Sequence, residues 1–141
     1  MITYGQVVSE MTTIIREAGP EHAYQPPAGV ETGLGRPMCF YVHEVGGGSL
    51  APGCIVGVWL NRFHGVALET LHEFEGKSAS GVLDTLQGRG LLAIELRAAV
   101  LVNEVQKQQD GWDNHDVRVP WQEALYRARR LVPPLEPVVV A

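Results

Sequence analysis

Cys39, His43, Cys54 and His64 are the residues of this chain whose types could carry nucleophilic or metal chemistry, and they stand in one stretch around the turn Gly46-Gly47-Gly48-Ser49. Cys54 precedes an apolar run that reads as a helix, and a helix N-terminus favours a thiolate through its free amides and dipole. With His43 upstream as base, Cys54 becomes a candidate nucleophile. Such chemistry also needs a group that orients the base and donors for an oxyanion, and the sequence nominates neither. Catalytic residues are therefore left as none, with Cys54 and His43 as the candidates. Zinc favours the same four ligand types, but the spacing is not that of a finger. If 54 to 64 is one helix, ten residues at about 1.5 Å each hold Cys54 and His64 about 15 Å apart, too far for one ion. No metal and no cofactor is expected, and both cysteines read as small apolar core residues.

Three other patterns invite chemistry. Asp110, Asp113, Asn114 and Asp116 resemble a calcium loop, but Trp112 stands where the second oxygen ligand belongs. The glycine turn lacks the Gly-Lys-Ser/Thr ending of a phosphate loop. Arg118, Arg127, Arg129 and Arg130 are the one basic concentration, three of them in the last turns of a helix where cations complement exposed carbonyls. They are candidate binding residues for an acidic partner, together with Leu135, Val138 and Val140 of an apolar C-terminal tail.

The elements that must position these residues are mostly helical. Thr3 and Gln6 form a capping box, Val7, Val8, Met11, Ile14 and Ile15 make one face, and Gly19-Pro20 stops the helix. A proline- and glycine-rich connection over 20–37 follows, then an apolar strand over 38–45 that turns at the three glycines. A second helix is expected from near Pro52 to Gly65, with two short ones over 67–75 and from a Ser78 cap to Gln87, stopped by Gly76 and Gly88. The longest helix is expected over 91–109, with Leu91, Ile94, Ala98, Leu101 and Val105 as its stripe. Pro120 opens the last one, whose apolar face is Trp121, Ala124, Leu125, Ala128 and Leu131. The expected fold is mainly α (α+β): five to six helices in a compact bundle with a small β-hairpin near 38–51. One helical domain spans 1–132, and an extended Pro/Val-rich tail follows over 133–141.

With 141 residues, 45% of them hydrophobic and 19% charged, the chain can bury a core without disulfides or metals. A net charge of −5 argues against a nucleic-acid footprint, which needs clustered excess cations. No apolar run approaches the roughly 18 residues of a membrane span, and the first residues lack the pattern of a secretion signal. A cytoplasmic protein with reduced cysteines is the expectation. His64 and His72 are placed at solvated helix ends.

Several elements also carry a resemblance. Cys39-x-Tyr-Val, Pro52-x-Cys54-Ile-Val-Gly57, Gly65-Val66-x-Leu68-Glu-x-Leu71-x-x-Phe-Glu-Gly76, Gln108-Gln-Asp-Gly111 and Pro120-Trp121-x-Glu-Ala124 together resemble small uncharacterised proteins of actinobacteria and their bacteriophages. The similarity covers roughly 38–130. Val58 stands where that pattern often has histidine, and no established activity comes with it. The resemblance implies a phage or actinobacterial accessory protein in the host cytoplasm. The leading expectation is thus a non-enzymatic protein that binds another protein, such as a host protein, or pairs with itself as a homodimer through its tail. The alternatives are a thiol-dependent hydrolase or transferase using Cys54 and His43, and a DNA-binding protein using the last helix.

Overall fold

The computed structural model describes residues 1–25, 40–111 and 119–135. In chain order its elements are α1 (Tyr4–Ala18), the hairpin strands β1 (Val42–Val45) and β2 (Ser49–Pro52), α2 (Ile55–His64), α3 (Leu68–His72), α4 (Ala79–Gly88), α5 (Leu96–Gln109) and α6 (Trp121–Leu131). The fold is α+β, with the two antiparallel strands in the register Val42↔Pro52 to Val45↔Ser49. Gly47 and Gly48 turn the hairpin at φ values of 77° and 81°, which side chains with a Cβ seldom adopt.

Helix α5 is the hub and packs against α1, α2, α4 and α6. Ala98, Leu101, Val102 and Val105 are all fully buried along it, the spacing of three and four residues that places them on one face. It begins five residues later than periodicity predicts. The backbone of 93–95 is taken instead by the N-terminal segment: Ile2 N donates to Ala93 O at 2.8 Å, and Glu95 N donates to Ile2 O at 3.0 Å. Leu91 therefore lies outside the core, exposed on the turn before this bridge.

The caps show a second layer of organisation. Thr3 accepts from Gln6 N as expected, but the Gln6 side chain turns forward to Glu10 rather than back, so only half of the capping box forms. The openings of α1, α2 and α4 are also held from a distance. Glu95 accepts from Tyr4 N, Gln109 from Ile55 N and Gln106 from Ala79 N, while Asn103 accepts from Ser80 N. One face of α5 thus satisfies the orphan amides that open α2 and α4. This is why Gln106 and Gln109 are buried despite their polarity.

Other boundaries depart from expectation for local reasons. Pro52 closes β2 opposite Val42 rather than opening α2, which starts at Ile55 and ends at a left-handed Gly65. Arg89 caps α4 and Gly90, at φ 72°, makes the turn there, not Gly88. Leu131 ends α6 largely exposed, so the buried face of that helix is Trp121, Ala124, Leu125 and Ala128. No helix among the described residues is long and apolar enough to cross a membrane.

Candidate functional site

Cys54 sits at the joint of β2 and α2, fully buried and disulfide-bonded. A reduced thiol is the sequence-based expectation, and the structure differs from it. The cause is the path of the chain into β1: Cys54 N donates to Phe40 O at 3.0 Å, and Gly53 N donates to Tyr41 O at 2.8 Å. The segment just after Cys39 is therefore laid against Cys54, a proximity that sequence separation hides. Cys39 itself lies outside the described residues.

The amides around the sulfur are committed as well. Gly53 N and Cys54 N bind backbone carbonyls, and Ile55 N donates to Gln109 Oε1 at 3.0 Å. The helix opening that would stabilise a thiolate or cradle an oxyanion is thus occupied by protein acceptors. The packing here is close. A Cβ on Gly57 would lie 2.2 Å from Tyr41 O, and one on Gly53 would lie 2.1 Å from Phe40 O. Only glycine lets α2 and its lead-in rest directly on the backbone of 40–41.

His43 does not join the sulfur in a pair. Its Nε2 lies 2.7 Å from Tyr24 Oη, which accepts from Phe40 N. Partial burial holds the His43 imidazole below its ordinary value, favouring the neutral ring. His43, Tyr24, His22, Arg62 and Trp121 line a cavity of about 440 Å³ between α1, α2 and the hairpin. Arg62 is paired with Glu17 there, and that bond holds the Glu17 carboxyl below its usual range. The buried Trp121 indole N–H has no acceptor among the described residues, and its ring meets His22 edge-on at 4.4 Å.

His64 departs from a solvated helix end. Its Nε2 lies 2.7 Å from Glu10 Oε1, which also accepts from Trp59 Nε1 at 3.0 Å, and both the histidine and glutamate side chains are largely covered. This cluster pins α2 to α1. His72 is half-exposed, 3.9 Å from Glu44. Helix α2 runs unbroken from residue 55 to 64, so Cys54 and His64 stay at opposite ends of it. Among the described residues no three potential ligands gather around one point.

The C-terminal arginines divide. Arg127 pairs with Glu123 one turn back, and Arg130 lies over the Tyr126 ring at 5.8 Å. Arg129 faces a trough between α1 and α6 of about 440 Å³, lined by Thr12, Ile15, Arg16, Leu125 and Tyr126 among others. Arg16 and Arg129 stand outside all the ion pairs formed among the described residues. Leu135 is exposed. Arg118, Val138 and Val140 lie outside the described residues, as does most of the acidic loop after Gly111.

Arg16 and Tyr126 are the trough residues that sequence reasoning missed. Nothing in the sequence singles them out: Arg16 is a cation in the last turn of α1 and Tyr126 an aromatic on α6. Only the packing of α1 against α6 brings them to one surface. Comparison of the chain with known protein families, with curated proteins and with solved structures finds no match.

Proposed function

We propose that this protein is a non-enzymatic accessory protein that acts by binding another protein through the trough between α1 and α6. The observation that carries the reading is the pair of arginines, Arg16 and Arg129, outside the ion pairs formed among the described residues and bordering an apolar floor of Ile15 and Leu125. Among the described residues Arg62, Arg89 and Arg127 are paired with carboxylates, whereas Arg16 and Arg129, like Lys77, Arg97 and Arg130, are not, and Arg16 and Arg129 border one hollow together. A buried sulfur held in a disulfide offers no nucleophile beside His43, which supports binding over thiol chemistry.

The reading extends to the role implied by the resemblance, a phage or actinobacterial protein acting on a host protein in the cytoplasm. The disulfide at Cys54 would there be shielded from reductant by its burial. Self-pairing through the exposed Leu131 and Leu135 belongs to the same reading. The test is affinity capture from actinobacterial lysate on immobilised full-length protein, analysed by mass spectrometry. A discrete partner retained in stoichiometric amount is the expected result. Retention of nothing above a blank matrix would sink the interaction reading.

A further inference from the structure

The trough continues beyond Tyr126. Pro20, Pro120, Gln122, Glu123 and Tyr126 line a second, adjoining hollow of about 350 Å³, and Pro20, Gln122 and Tyr126 border both. The two halves differ in chemistry. The first has Arg16 and Arg129 over an apolar floor. The second has two proline rings and the Tyr126 face, and its one charged side chain, Glu123, is already bound to Arg127 at 3.0 Å.

From this we infer that the trough is a docking groove for a peptide segment of another protein in which an acidic residue and a bulky apolar residue stand three positions apart. The inference rests on the interaction reading above and adds the chemistry of the partner. Charge complementarity sets the first position, since a guanidinium outside the ion pairs among the described residues, next to apolar surface, matches a carboxylate through parallel N–H···O bonds. The apolar hollow sets the second. Arg129 and Glu123 border the two halves along α6, and their six-residue offset amounts to a rise of about 9 Å along the helix axis. A polyproline II segment rises about 3.1 Å per residue and repeats its face every third residue, so positions i and i+3 lie about 9 Å apart on the same side. A β-strand would turn those two side chains to opposite faces. Tyr126, 56% exposed between the halves, supplies the aromatic ridge on which such extended segments pack.

The experiment is selection from a display library of short randomised peptides on the intact full-length protein, followed by fluorescence polarisation with the enriched peptide. The wild-type chain should enrich acid-x-x-apolar sequences. Arg16→Glu with Arg129→Glu should weaken the enriched peptide by at least about tenfold, and Tyr126→Ala should weaken it without changing its salt dependence. These side chains lie on the surface of the trough, and an unchanged melting temperature verifies that the variants fold. Enrichment of sequences without an acid, no enrichment, or binding indifferent to the double charge reversal would each overturn the groove assignment. If lysate capture still retains a partner on the charge-reversed protein, the interaction reading stands on another surface and only the groove falls. Loss of self-association by the same variant, with no peptide selected, identifies a second copy as the occupant and overturns the peptide.

Discussion

Replacing Gln106 by leucine separates the glutamine face of α5 from ordinary core packing. Gln106 is 6% exposed; its Oε1 accepts from Ala79 N and its Nε2 donates to Tyr41 Oη at 2.7 Å. Leucine fills a similar volume but leaves the Ala79 amide unpaired at the opening of α4, in a residue with no exposed surface. Stranding a buried donor costs about 1–3 kcal/mol, and the lost bond to Tyr41 adds roughly 0.5–1.5 kcal/mol. Tyr41 keeps its donation to Lys77 O at 2.6 Å, so its hydroxyl is not orphaned. The expected loss is therefore about 2–4 kcal/mol, a large part of the roughly 5–15 kcal/mol that holds a domain together. Urea unfolding at neutral pH, with Tyr41→Phe and the double variant completing a cycle, should give a coupling of about 1 kcal/mol between the two positions. A loss below about 0.5 kcal/mol for Gln106→Leu at unchanged m value would refute the reasoning. It would mean that water reaches the α4 opening.

Gly57→Ala should lower stability by several kcal/mol, because its Cβ meets the Tyr41 carbonyl at 2.2 Å and backbone cannot swing aside as a side chain can; a thermal midpoint within a degree or so of wild type would disprove that contact. Glu75 accepts from Tyr41 N and Val42 N, yet burial raises its carboxyl above its ordinary value of 4.5. A raised folded value means that the group's stabilising contribution is complete below about 4.5 and is lost as pH climbs through the folded value. Glu75→Gln should accordingly flatten the stability profile in that window, and parallel curves for the two proteins would remove Glu75 as the cause. Native Cys54 should resist iodoacetamide until reductant is added, and reduction should lower stability by about 2–4 kcal/mol; rapid labelling of untreated protein, read by mass spectrometry, would contradict the disulfide.

Much of the architecture was legible before any coordinates. Helices announce themselves by local rules: the Thr3 and Ser78 caps, the left-handed stop at Gly65 and the spacing of Ala98, Leu101 and Val105 all act within a few residues of chain. The triple glycine marked the hairpin turn for the same reason. Apart from boundaries shifted for local reasons at Pro52 and Gly90, the departures fall where a distant group displaces a local one. Periodicity ran α5 back to Leu91, but Ile2 claims the backbone of 93–95. His64 looked like a solvated helix end until Glu10 of α1 was brought beside it. Gln106 and Gln109 carried no sign of burial, since an amide side chain is buried only when the chain places partners around it. The candidate site divides the same way. Residue types nominated Cys54, His43 and the C-terminal arginines, because reactivity and charge belong to single side chains. Tertiary structure decided that Cys54 is sealed and bonded, that His43 faces Tyr24, and that Arg129 alone of the described C-terminal arginines meets Arg16 across an apolar floor. Proximity between residues far apart in sequence is set by how helices pack, and no local spacing encodes it.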